Sequence, residues 1–254
     1  MFCMAASETD SSVPARHQAV FVTTSWSVVL AAARSDTPRA QAALEHLCQT
    51  YWYPLYAYVR RRGYSSEDAK DLTQAFFLSL LKGGSIGRAD QSRGRFRSFL
   101  LGAANHFLAG EWAKGQAQKR GGGQQVLSLD LAAAECRFDL APAYTDTPDK
   151  AFDREWAGTL LDTVLTRLES EYRQEGKAGL FEALKQSLAG TSETQPYAVI
   201  AAQLKMNEGA VRVAVHRLRG RYRELLRAEI ADTVASPDEV MSELRHLFKT
   251  IANS

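Results

Sequence analysis

The sequence predicts an all-α fold: two helical domains joined by a flexible acidic linker, with a helix-turn-helix near the C-terminus. Three observations predict it. Apolar residues recur at intervals of three and four in nearly every patterned segment, the period of a helix with one buried side. Residues 116 to 150 break that pattern with a glycine-rich and then acidic stretch. Beyond it, Tyr197 to Arg227 offers a short helix, a tight turn and a long basic helix.

Residues 1–22 are polar, small and without period, and read as a disordered leader in which Met4 is an alternative start. A helix follows Thr24 or Ser25 and carries Trp26, Val29 and Leu30 to about Ser35. Pro38 opens another, with Ala42, Leu44, Leu47 and Tyr51 on its apolar face. Pro54 falls inside that pattern and predicts a kink or break, because proline removes a helical hydrogen bond. Gly63 is the expected stop. In 65–81, Ser65 and Asp68 stand at capping-box spacing, and Ala69, Leu72, Phe76, Phe77, Leu80 and Leu81 form a broad apolar arc. A glycine-rich turn over Lys82 to Asp90 leads to a helix from about Phe96 to Ala113, with Phe96, Phe99, Leu100, Ala103, Phe107 and Gly110 on one face.

Gly115 to Gln125 cannot hold a packed element, and Val126 to Lys150 reads as irregular and acidic. A structureless stretch of about thirty residues is unusual inside a compact fold and suggests a linker or functional insertion. Helical period returns with Trp156, Leu160, Val164 and Leu168, then Leu180, Phe181, Leu184 and Leu188. After Arg227, Ser236 and Glu239 again have capping-box spacing, with Pro237 at the first helical position. The helix they open places Val240, Leu244, Leu247, Phe248 and Ile251 on one face, expected to fold back on its own domain. The division is thus 1–22 leader, 23–115 first domain, 116–150 linker, 151–227 second domain and 228–254 helical extension.

The net charge of +2 hides opposites. Residues 205–227 hold seven basic and two acidic residues, and Arg88 to Arg120 hold the same numbers. Two basic islands far apart in sequence suggest two contacts with one polyanion. Cys3, Cys48 and Cys136 are odd in number and widely spaced, which argues against a disulfide framework or a thiolate metal site and for a reducing cytoplasm. No apolar run approaches the roughly 18 residues of a membrane span. The five histidines lack a His-Glu-x-x-His arrangement, and neither a phosphate-binding loop nor a nucleophile elbow is present. No catalytic residue, metal ligand or cofactor is therefore expected.

The binding residues follow from the periodicity. Asn207 is placed to cap the long basic helix. Glu208, Gly209, Arg212, Val213 and His216 face the way base edges would lie, while Arg217, Arg219, Arg221 and Arg223 suit phosphates. Lys205 stands in the turn where glycine is common, in a turn that need not require positive φ. Off the apolar stripe of 96–113, Arg93, Arg95, Arg97, Asn105, Trp112 and Lys114 are candidates for single-strand contact, the tryptophan as a stacking surface. On 65–81, Asp71, Gln74 and Leu78 form a mixed stripe that is either ordinary core edge or a docking surface.

Two motifs resemble bacterial RNA polymerase sigma factors of the extracytoplasmic-function type. Asp68-Ala69-Lys70-Asp71-Leu72-Thr73-Gln74-Ala75-Phe76-Phe77-Leu78 is similar to the polymerase-clamp-binding helix of sigma domain two. Tyr197-Ala198-Val199-Ile200-Ala201 through Val211-Arg212 and Arg217-Leu218-Arg219 is similar to the promoter-reading helix-turn-helix of sigma domain four. The resemblance implies a non-enzymatic transcription initiation factor whose partners are core RNA polymerase, double-stranded promoter DNA and the melted non-template strand, with an anti-sigma factor or other inhibitor as a common restraint. Asp68, Asp71, Gln74, Phe77 and Leu78 would meet the polymerase. Asp71→Arg or Phe77→Ala is then expected to abolish that binding and spare the fold. Arg95-Phe96-Arg97-Ser98-Phe99-Leu100 and Asn105 would open the downstream element, where bases leave the stack at a cost of a few kcal/mol per step. The acidic linker would thread the polymerase interior. The readings set against this one are a stand-alone helix-turn-helix repressor, which has no use for the Asp71 stripe, and a recombinase, which would need an α/β catalytic domain.

Overall fold

A computed structural model of the chain describes residues 38–82, 95–115, 131–140, 147–188, 196–231, 233–234 and 236–252. The leader, the helix expected after Thr24, nearly all of the turn from Lys82 to Asp90 and Arg93 lie outside that set. The described residues contain helices and turns and no strand, as the periodicity predicts.

Helix α1 (Pro38–Arg61) begins on proline at its first position, where the missing amide hydrogen is no loss. It does not break at Pro54. Residues 51–59 are all buried, among them Tyr51, Trp52, Tyr53, Tyr56 and Tyr58. An interior proline costs about 3 kcal/mol, whereas each fully buried large side chain contributes about 1.5–3 kcal/mol. Packing therefore outweighs the lost bond. Gly63, at φ +91°, closes the helix with its amide on the Arg60 carbonyl at 2.9 Å. Helix α2 (Ser66–Lys82) starts as expected: the Asp68 amide donates to Ser65 Oγ at 3.1 Å, and Ser65 Oγ donates to Asp68 Oδ2 at 2.7 Å.

Helix α3 (Phe96–Gly115) runs two residues beyond its expected end, so Gly115 is helical. Its most buried stripe is Phe96, Leu100, Ala104 and Leu108, with Phe99, Ala103 and Phe107 at the margin and Gly110 exposed. Helix α4 (Leu131–Leu140) corrects the expectation of an irregular linker. It is anchored by charge. Arg60 donates to both Glu135 carboxylate oxygens at 2.9 and 3.2 Å, Tyr56 donates its hydroxyl to the same group, and the Arg137 guanidinium lies 4.1 Å from the Tyr53 ring centroid.

Helix α5 (Pro148–Gln174) is about 40 Å long at 1.5 Å per residue. Its interface with α1 is the most extensive between any two helices described. Phe152 and Trp156 serve that end; Tyr172 meets Phe181 at the other. Helix α6 (Ala178–Leu184) runs into a 3-10 turn, Lys185–Leu188. Helices α7 (Tyr197–Leu204) and α8 (Glu208–Ala231) follow, with Val211, Val215, Leu218 and Leu225 buried along α8 as the spacing predicts. A 3-10 turn, Pro237–Glu239, precedes helix α9 (Val240–Ala252). One cluster of buried residues extends from α1 to α9.

Three local expectations are corrected at the two ends of this last region. Lys205 does take a left-handed conformation, φ 53° and ψ 40°, and the Met206 amide reaches back to the Ala201 carbonyl at 2.9 Å. A residue with a Cβ pays about 1–2 kcal/mol there. Lys205→Gly is expected to raise stability by about 0.5–1 kcal/mol, read from the midpoint of urea unfolding. Ser236 makes no side-chain cap. On α9, Phe248 and Ile251 are exposed rather than buried, and Glu243 occupies the inward face beside Leu244 and Leu247.

Candidate nucleic-acid interface

Helix α8 is positioned by its buried seam and by its cap: the Ala210 amide donates to Asn207 Oδ1 at 2.7 Å. The Asn207 side-chain oxygen thus serves the cap, and the residue stays exposed at the start of the helix. The exposed side then carries Glu208, Arg212, His216, Arg219, Arg223 and Arg227 in one row, with Gly209, Val213 and Arg217 beside it. Arg212 approaches Glu208 only to 3.7 Å and is well exposed. Among the described residues, Arg217 and Arg227 face no carboxylate at ion-pair distance.

Two arginines of the expected set are engaged inside the protein. Arg219 donates through Nε and Nη2 to the Ser187 carbonyl at 3.0 and 2.7 Å. Arg221 forks onto Glu171 at 2.7 and 2.8 Å and reaches Glu224 at 3.0 Å. Both groups fasten α8 to the rest of the molecule, Arg221 to α5 and Arg219 to the 3-10 turn after α6. Arg223 donates Nε to the Arg219 carbonyl at 3.1 Å and is exposed. The open cationic row is therefore Arg212, Arg217, Arg223 and Arg227.

No family model matches this sequence, and no curated protein or solved structure does.

The Arg221 hydrogen bonds, aided by its charge, hold the Glu171 carboxyl below the ordinary glutamate value despite some burial. The folded pKa lies below the unfolded one. The clamp thus contributes fully above the unfolded value near about 4.3 and is lost as pH falls through the folded value. Urea midpoints of the wild type and Glu171→Gln are expected to differ at pH 7 and to converge in acid. A groove of about 700 Å³ lies beside this clamp, lined by Tyr172, Leu180, Met206, Gly209, Val213 and Arg217. Its signal in the sequence was the pair Met206 and Val213, apolar residues outside the buried seam.

The two described arginines of the second basic segment, Arg95 and Arg97, are engaged within the protein. Arg97 is only 6% exposed, donating Nε to Glu243 at 2.6 Å and Nη1 to Asp153 at 2.5 Å, with its guanidinium 5.2 Å from the Trp156 ring. Burial disfavours its charge, but the Glu243 bond and charge outweigh that and raise its pKa. Arg95 sits 2.7 Å from the other Glu243 oxygen. Asn105 accepts from the Tyr58 hydroxyl and from Arg62, each at 2.5 Å. Trp112, 64% exposed, is open as expected. Arg93 and the Lys114 side chain lie outside the described residues.

On α2, Asp68 and Asp71 are exposed and Leu78 is half-buried. Gln74 and Phe77 are 7% and 1% exposed, so they belong to the core and cannot present themselves to a partner. The helical arc that places Phe77 inward also carries Gln74 under the surface, and its amide nitrogen is left without a hydrogen-bond partner. Among the described residues no helix is long and apolar enough to cross a membrane, and no three His, Cys, Asp or Glu side chains converge as metal ligands would.

Proposed function

We propose that this chain is a cytoplasmic transcription initiation factor that binds core RNA polymerase and directs it to promoters, without catalytic chemistry or a cofactor of its own. The reading is carried by α8. A capped helix follows a short helix and a tight turn, packs by one seam, and turns an arginine row with small residues at its start outward. This is the arrangement by which a helix-turn-helix enters a major groove, the start reading bases and the remainder holding phosphates. The motif on α2 adds the polymerase. Asp68, Asp71 and Leu78 remain available for that contact, and Trp112 for an unstacked base of the melted strand. The two-domain division, with 131–140 as a docked part of the linker, belongs to the same reading, as does restraint by an anti-sigma factor or other inhibitor.

Co-elution with bacterial core RNA polymerase and transcription from a promoter-bearing fragment test this directly. Binding with promoter-dependent initiation supports it; retained DNA affinity without polymerase binding refutes it. That second result is the one expected of a stand-alone helix-turn-helix regulator, a reading favoured by the burial of Gln74 and Phe77. Arg212→Ala is expected to weaken duplex binding by about 1–3 kcal/mol at one position of the site if it contacts a base. An equal loss on all sequences, with a shallower salt dependence, would make it a phosphate contact.

A further inference from the structure

The acidic group that pairs with Arg95 and Arg97 comes from the far end of the chain. Glu243 lies on α9, is 1% exposed, and has one carboxylate oxygen on each arginine. Ser242 of the same helix accepts from Arg95 at 3.2 Å, and His246 lies 3.3 Å from Asp153. The two guanidinium groups and the carboxylates of Glu243 and Asp153 balance. The cluster offers no net positive charge to a polyanion while α9 is seated, and a charge of one when it is not.

The fit is also incomplete. Glu243 Oε2 is close to Arg95 Nε but receives no aligned hydrogen bond, and it is buried. Only Leu244 and Leu247 accompany Glu243 as fully buried residues of α9, while Met241 and Phe248 point outward. A buried ion pair gains little net stability because desolvation offsets attraction. The helix is therefore held by a shallow apolar contact and a charge cluster that another anion can satisfy.

We propose that α9 is the internal occupant of an anion site formed by Arg95 and Arg97, and that the phosphate backbone of single-stranded DNA binds there by displacing Glu243. This deepens the reading of 95–97 as a strand-contacting segment and rests on it. In the seated state Arg95 and Arg97 are masked by Glu243. The C-terminal helix then gates strand binding at Arg95 and Arg97.

The test uses the full chain with a short labelled single-stranded oligonucleotide, followed by anisotropy, and hydrogen exchange of residues 240–252. Glu243→Gln removes the competing charge and keeps the shape; strand affinity is expected to rise on the order of tenfold at low salt, with a steeper salt dependence. Arg95→Gln, at a half-exposed position, is expected to erase that gain in the double variant. In the wild type, saturating strand should speed exchange in 240–252. Unchanged protection there, which needs no variant to fold, overturns the proposal, as does an unaltered affinity in a folded Glu243→Gln chain. If strand binding survives Glu243→Gln unchanged but is lost in Arg95→Gln, the gate fails and the strand site stands. If neither wild type nor variant binds strand, the reading of 95–97 itself has failed.

Discussion

Arg97→Met is expected to lower unfolding stability by about 3–5 kcal/mol, the cost of removing one partner from a buried ion pair. Glu243 is the group most affected. It is almost wholly enclosed, its Oε1 takes its hydrogen bond from Arg97, and only the Arg95 guanidinium beside Oε2 would remain to offset its charge. Asp153 loses a 2.5 Å bond at the same time, and Trp156 loses the guanidinium packed against its ring. Methionine keeps much of the volume, so a cavity is not the cause. Urea unfolding should show a lower midpoint with an unchanged slope, and Arg97→Met combined with Glu243→Met should recover much of the loss, since replacing both charges is often neutral or stabilising. A single variant as stable as wild type would mean that the cluster is open to water.

Phe77→Ala is expected to cost about 3–5 kcal/mol as well, through the cavity left by a buried ring. Phe77 packs beside Phe76, which in turn meets Phe107 of α3 edge-on at 5.7 Å. Its truncation therefore damages α2 and α3 together, and any loss of polymerase binding in that variant reports unfolding. Asp71→Arg is the informative substitution for docking. It changes an exposed side chain with no partner among the described residues, so its urea midpoint should stay within about 0.5 kcal/mol of wild type. Loss of polymerase co-elution by this variant alone is the expected outcome of the proposed function.

Periodicity located most helices because their apolar residues answer to a single packing surface. Ser65, Gly63 and Asn207 were readable for a more local reason: each satisfies backbone groups within three residues of itself. Pro54 misled because its penalty is local while nine consecutive buried residues of α1 offset it from outside. Residues 131–140 were missed because their helix has almost no apolar period; it is held by Glu135, Arg137 and Phe138 against arginines and aromatics more than 70 positions earlier. The same blindness affected the basic residues. Composition counts Arg95, Arg97, Arg219 and Arg221 as charge available to DNA, whereas Glu243, Asp153, Ser187 and Glu171, each at least 32 positions away, decide that they are engaged. Arg212 was legible because nothing distant claims it.

Asp153 and Glu171 stand on the same unbroken helix, one holding Arg97 and the other holding Arg221. Eighteen residues separate them, which is five turns of a helix with 3.6 residues per turn and about 27 Å of rise. They therefore emerge in the same angular phase, like two teeth cut in line on one shaft. Inserting a single residue between them would turn one tooth by about 100° against the other. Inserting four would turn it by only about 40° past a full revolution, at a translation of about 6 Å. The chain in α5 thus constrains length by phase before it constrains it by distance, and the orientation of the arginine row on α8 relative to the Arg97 cluster is set by counting residues along α5.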